Sequence, residues 1–148
     1  MLDVKLLHPD AIPPTTAYGN PPDLCYDLYA LEDTWVRRDP VLVRTGIACA
    51  AYNNVRGGKI PLGLIIKDRS SMALKGVYTH AGVIDPGYRG EILVCMSSTT
   101  RVYDHYLILK GAKFAQMMPV MCLTGPVTIV DAFPESDRGT GGFGSSGQ

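Results

Sequence analysis

A carboxylate and a phenol stand three residues apart in Ala81-Gly82-Val83-Ile84-Asp85-Pro86-Gly87-Tyr88-Arg89-Gly90-Glu91. Pro86 presets the first central position of a β-turn, and Gly87 supplies the positive φ that a type II turn requires at the second. Asp85 and Tyr88 are then neighbours across a tight turn. Apolar Val83 and Ile84 before it, with Ile92, Leu93 and Val94 after it, predict a hairpin that holds the acid stiffly. Such a placement reads as a site, although an ordinary surface hairpin would use the same Asp-Pro-Gly for its turn chemistry alone.

Four further segments carry polar groups in order along the chain: Tyr26-Asp27-Leu28-Tyr29-Ala30, Asp68-Arg69-Ser70-Ser71-Met72-Ala73, Gly111-Ala112-Lys113-Phe114-Ala115-Gln116-Met117, and Arg138-Gly139-Thr140-Gly141-Gly142-Phe143-Gly144-Ser145-Ser146-Gly147. With the 81–91 segment as the third, these five resemble the ordered motifs of the trimeric dUTPase family. The resemblance spans nearly the whole chain. It implies hydrolysis of dUTP to dUMP and pyrophosphate, on a jelly-roll-like β-barrel assembled as a homotrimer with sites shared between subunits. An inserted hairpin at residues 53–59 departs from the family pattern, and a phage-encoded variant would fit that departure.

Hydrolysis at phosphorus needs an oriented water, an acceptor for its proton, and cations or N–H donors on the phosphate oxygens. The resemblance implies that Asp85 activates the water attacking the α-phosphorus. The backbone of Gly82, Val83 and Ile84 would meet the uracil edge, and Tyr88 would pack under the deoxyribose and leave no room for a 2′-hydroxyl. Arg69, Ser70 and Ser71 would bind phosphate at a turn opening a short helix, where backbone donors favour anions; a serine there also serves as an ordinary N-cap. Gln116 would contact the α-phosphate, or simply face solvent on an edge strand. Asp27 would hold Mg²⁺ through a bound water, which suits an ion that dehydrates reluctantly. It also reads as a hydrogen-bonded acid at a strand end.

In the tail, Arg138, Ser145 and Ser146 would clasp the γ-phosphate and Phe143 would stack over uracil. Gly142 and Gly144 would let backbone N–H groups approach the phosphates. Three departures from the family pattern stand out. Ser71 replaces a usual glycine, Asp68 a usual proline, and Lys113 with Ala112 replace a usual arginine and aspartate, which predicts loss of a structural ion pair.

The elements that must position these groups read as all-β. Short β-branched or aromatic runs at 4–7, 24–31, 41–52, 60–66, 77–84, 91–96, 103–109, 114–123 and 127–130 are separated by Gly, Pro, Asn and Asp clusters. Residues 9–22 are Pro-rich and predict an extended arm. The best helical candidate, 70–75, gives a turn or two. Residues 1–133 are expected to form one β-barrel domain, and 134–148 a flexible Gly/Ser-rich arm that closes over a site; composition alone would read that arm as linker.

Bulk numbers set limits. At 148 residues one domain is expected. Fourteen Lys and Arg balance fourteen Asp and Glu, so the basic field for stable nucleic-acid binding is missing. Cys25, Cys49, Cys95 and Cys122 lack metal-ligand spacing and read as reduced. No signal pattern or apolar run of about 18 residues is present, so a cytoplasmic protein with no membrane contact is expected. Two other readings stay open: a dCTP deaminase-like enzyme of the same fold, and a nucleotide-binding regulatory trimer.

Overall fold

The computed structural model describes residues 1–99, 105–137 and 139–140. Eleven strands and one short helix are found among them: β1 (Leu2–Leu6), β2 (Tyr26–Tyr29), β3 (Thr34–Arg37), β4 (Val41–Arg44), β5 (Ile47–Val55), β6 (Gly58–Asp68), α1 (Ser70–Ala73), β7 (Val77–His80), β8 (Val83–Ile84), β9 (Leu93–Ser98), β10 (His105–Ile108) and β11 (Lys113–Met121). All pairings are antiparallel. The main sheet runs β1-β5-β6-β11-β2, a second runs β4-β9-β7, and β3 pairs with β10.

The sheets curl around one core, giving the jelly-roll-like barrel. Leu28, Val36, Val43, Ile47, Met96, Ile108 and Phe114, from all three sheets, and Ile92, just before β9, are fully buried. Each contributes about 1.5–3 kcal/mol by leaving water. Backbone bonds from Leu31 N to Arg44 O (2.9 Å) and from Ile92 N to Ile47 O (2.8 Å) tie the sheets at their ends. Burial alternates along β3 and β4, whose outward faces are exposed. The start of β5 is buried at three successive residues.

Several boundaries differ from the sequence reading. The run 41–52 is two strands, because Gly46 at φ 70° turns the chain between β4 and β5. β3 was not foreseen. The run 77–84 also splits, at Ala81 (φ 57°) and Gly82 (φ 95°). Residues 53–59 do not interrupt the strands: β5 and β6 pair through Val55↔Gly58, leaving Arg56-Gly57 as a two-residue tip. Residues 127–130 form no strand, and every residue from 121 to 137 is exposed.

Candidate active site

The end of β6 supplies the first functional group. Asp68 Oδ1 accepts a hydrogen bond from Thr79 N at 2.6 Å, so the acid standing in place of proline ties β6 to β7. Arg69 follows with extended geometry (φ −79°, ψ 141°) and is itself the helix N-cap, without a side-chain cap. Ser70 is therefore the first helical residue and not a capping serine. Its hydroxyl is left exposed toward the cleft described below.

β11 carries the next two groups. Register pairs Gln116 with Asp27 of β2 on one side and with Lys67 of β6 on the other. The Gln116 amide donates to Asp68 O at 2.8 Å, so this polar residue in an apolar strand is satisfied. Asp27 has only 14% of its side chain exposed and meets two cations: Arg69 Nε at 2.9 Å on Oδ1 and Lys113 Nζ at 2.8 Å on Oδ2. Arg69 Nη1 also donates to Lys113 O at 3.2 Å. The expected loss of an ion pair at Lys113 is thus corrected, because the shorter cation still reaches a carboxylate across the strands. Hydrogen bonding to Asp27 holds the Lys113 ammonium above the usual lysine value.

Asp27, Arg69, Ser70 and Gln116 share an open cleft of about 430 Å³. Its outer wall, Ala17 to Leu24, was not foreseen. Asp23 builds that wall: its Oδ2 accepts from Ala17 N (2.6 Å) and Tyr18 N (3.0 Å), setting Tyr18 and Leu24 at the rim. The signal was the acid closing a turn-rich Tyr18-Gly19-Asn20-Pro21-Pro22 stretch. Cys25 also lines the cleft; burial first, then the Asp27 and Asp23 carboxylates, push its thiol up, which disfavours the reactive thiolate. Ser71 lies beyond Arg69 in a neighbouring cleft.

Asp85 is elsewhere. β8 does not pair with β9 in a hairpin; it lies on the edge of β6 opposite β11, through Leu64↔Ile84 and Ile65↔Val83. Close approach fixes Gly82, since a Cβ there would stand 2.9 Å from Ile66 O, and Ile66 N donates to Gly82 O at 2.8 Å. The turn forms as Tyr88 N donates to Asp85 O at 3.0 Å. Gly87 does not take positive φ, so the turn is not type II. Asp85 instead holds the first position of a type I-like turn, which aspartate favours.

Other bonds brace the segment. Arg89 Nη1 donates to Pro86 O and Tyr88 O, both at 2.7 Å, and the Tyr88 hydroxyl donates to Glu91 O at 3.0 Å. The Tyr88 ring lies where a side chain on residue 90 would be, so any residue larger than glycine there would have to displace the ring. Glu91 anchors the far end on Arg44 (3.1 Å) and on Gly46 N (2.8 Å). Burial pushes the Glu91 carboxyl up, but the Arg44 guanidinium and the Gly46 N–H outweigh it and hold the group below the usual range.

No residue of 81–91 lines the Asp27–Arg69–Gln116 cleft. Within one chain the structure therefore brings together Asp27, Arg69, Ser70 and Gln116, and separately Gly82, Val83, Ile84, Asp85 and Tyr88. Arg138, Gly142, Phe143, Gly144, Ser145 and Ser146 lie outside the described residues. The histidines have structural partners: His8 accepts from Asp10 N, His80 bonds Ser97, and His105 packs edge-on against Trp35.

Among the described residues no three His, Cys, Asp or Glu side chains form a metal cage. The donor set at the cleft is two carboxylates, Asp23 bound to the Ala17 and Tyr18 N–H groups and Asp27 already facing two cations. It fits an ion held mainly by phosphate oxygens and water, and does not fit an all-protein site. No helix among the described residues is long and apolar enough to cross a membrane.

Comparison with known proteins gives a consistent set. A family model described as dUTPase matches residues 13–147. The deoxyuridine 5'-triphosphate nucleotidohydrolase of Solibacter usitatus (strain Ellin6076) is 36% identical, across 98% of this chain and 95% of its own length. That of Picosynechococcus sp. is also 36% identical, across 95% and 94%. Among solved structures, the chain is similar to the Staphylococcus bacteriophage 80alpha dUTPase with dUPNHPP, at a TM-score of 0.86 and 23% identity, covering 100% of this chain and 99% of that one. A mutant dUTPase from phage phi11 of S. aureus, described with a coordinated structural Mg(II) ion, has a TM-score of 0.74 at 21% identity, covering 90% and 98%.

Proposed function

The chain belongs to the dUTPase family and hydrolyses dUTP to dUMP and pyrophosphate; we propose that it does so with a water activated by Asp85, in three sites that each combine groups from neighbouring copies. One observation carries this reading: Asp27, Arg69, Ser70 and Gln116 converge on a cleft that residues 81–91 of the same chain do not line. A second copy must then bring Asp85 to it. The naked segment after β11 supports assembly, since Val127 and Ile129 are each 94% exposed in a stretch rich in β-formers, a surface that a lone chain does not leave in water. A closed ring of three is the assembly that we infer.

In this site Arg69, Ser70 and Gln116 hold the phosphate chain, and Asp85 accepts the proton of the water attacking the α-phosphorus. The backbone of Gly82, Val83 and Ile84 reads the uracil edge, and Ser71 adds a hydroxyl beyond Arg69. Residues 1–133 form the body; residues 134–148 close the site with Arg138, Gly142, Phe143, Gly144, Ser145 and Ser146, excluding water. Mg²⁺, held by the phosphates and by a water on Asp27, supplies neutralisation of charge on the transferring group. Four unpaired thiols and a nucleotide substrate suit a reducing, cytoplasmic setting.

Pyrophosphate release across a nucleotide panel tests the reading: dUTP is expected to be turned over well above UTP, dCTP and dTTP. Ammonia release from dCTP would instead reveal the deaminase-like reading, which the relatives' dUTP nucleotidohydrolase names do not favour. Tyr88 is 43% exposed, with its hydroxyl tied down, so its ring is free to receive the sugar. Tyr88→Ala opens space for a 2′-hydroxyl, and the dUTP/UTP ratio of kcat/KM should fall by roughly tenfold, in line with the ~1–3 kcal/mol carried by small-group exclusion. An unchanged ratio would remove Tyr88 from that role.

Metal removal gives a separate check. EDTA is expected to suppress hydrolysis and Mg²⁺ to restore it, because Arg69 and Lys113 are already committed to Asp27 and leave much of a triphosphate's charge uncompensated. Full turnover in metal-free buffer would contradict the role given to Asp27.

A further inference from the structure

A second cleft, of about 230 Å³, opens between α1 and the stretch from β10 to the start of β11, and shares Arg69 with the first. Its floor is apolar, formed by buried Met72, Ile108 and Phe114. Its rim is cationic, and no carboxylate lines it among the described residues. Arg69 and Lys113 are engaged by Asp27, which leaves Lys75 as the rim cation with no carboxylate partner among the described residues. Lys75 Nζ donates to the Tyr106 hydroxyl at 2.9 Å, which holds the ammonium at the mouth.

The chain carries a segment of complementary character. Asp131-Ala132-Phe133-Pro134-Glu135-Ser136-Asp137 has three acids, no cation and one aromatic ring. Phe133 is 88% exposed on its own chain, and none of the three carboxylates has an ion-pair partner among the described residues. We propose that the cleft between α1 and β11 receives Phe133 of a second copy of this chain, with Lys75 facing the carboxylates that flank it. An aromatic ring suits the apolar floor and the acids suit the rim.

Reach supports the match. Phe133 precedes Arg138 by five residues, a span of at most roughly 18 Å when extended. The two clefts meet at Arg69, so a ring seated in one leaves Arg138 within range of phosphates in the other. The inference rests on the reading that the tail closes over a neighbour's site, and names where that tail is anchored. An exposed contact of this kind can release and re-form with each turnover.

Charge exchange tests it in the full-length protein. Lys75→Glu, Glu135→Lys and Phe133→Ala are each expected to keep the oligomer's size while speeding amide hydrogen exchange of the 131–137 peptide about tenfold in the presence of a non-hydrolysable dUTP analogue, and to raise KM for dUTP. Lys75→Glu with Glu135→Lys in one chain should restore protection. Co-refolding the two single variants in equal amounts should protect about half of the tails, because about three-quarters of random trimers are mixed and two of three junctions in each then pair opposite charges.

Unchanged exchange in the single variants would overturn the proposal, as would failure of the double variant to recover. Recovery of the double variant without recovery of the mixture would place the segment on its own chain, and so would overturn the second copy as occupant. Complementation between Asp85→Asn chains and tail-less chains is unaffected by these charges and reports separately on whether sites are shared.

Discussion

Asp85→Asn is expected to bind dUTP with nearly unchanged affinity and to turn it over about 10²- to 10⁴-fold more slowly, the range for loss of a positioned general base. The substitution is clean for a structural reason. The turn is closed by Tyr88 N on the backbone oxygen of residue 85, and Arg89 braces it through the backbone oxygens of Pro86 and Tyr88. The Asp85 carboxylate takes no hydrogen bond or ion pair among the described residues, so an amide leaves the scaffold as it was. Single-turnover rates and analogue titration separate the two effects. A variant with near-full turnover would mean that Asp85 is not the base.

Truncation after Asp137 is expected to lower turnover by about 10²-fold or more while leaving the thermal midpoint and the assembly close to wild type. The removed residues carry the arginine, the aromatic ring and the serines given to the γ-phosphate and the base, and one charge-assisted donor at a phosphoryl group is worth on the order of 10²-fold or more. The core is untouched, because the last strand ends at Met121 and no fully buried side chain lies beyond it among the described residues. A truncated enzyme as fast as wild type would remove the tail from the site.

Local chemistry was legible where a strand's own pattern decides its state. The runs that became β2, β6, β9 and β11 carry β-branched and aromatic residues between clear breakers, and the groups singled out on or beside them, Asp27, Arg69, Ser70 and Gln116, line one cleft. β3 escaped because Thr34–Arg37 is four residues set between charged Glu32-Asp33 and Arg38-Asp39, with Trp35 facing outward. The Val127-Thr128-Ile129-Val130 run has strand chemistry but no neighbour in one chain to complete a ladder. Pairing, not propensity, decides that case.

The misplaced hairpin has the same origin. Val83 and Ile84 were close in sequence to β9, yet the free edge of β6 beyond Leu62, where β5 departs, took them instead. Gly87 was read as the positive-φ residue because Pro-Gly suits a type II turn; Ala81 and Gly82 carry positive φ because the chain must cross close to Ile66 there. Lys113 was read through what it replaces. Its bond to Asp27 depends on β11 and β2 being neighbours, a long-range fact that spacing does not encode.

The central claim, that each site takes Asp85 and the tail from different copies, is tested most directly by refolding two dead variants together. Asp85→Asn chains lack the base, and chains ending at Asp137 lack the tail. Around a closed ring of three, every mixed trimer has one junction where a truncated chain supplies Asp85 and an Asp85→Asn chain supplies the tail. With equal amounts and random assembly, about three-quarters of trimers are mixed and about one site in three of those is whole, so pyrophosphate release should recover to about a quarter of wild type. If each tail instead closes over its own chain's Asp85, no site in any mixed trimer is complete, and the refolded mixture would release no more pyrophosphate than the two variants do apart.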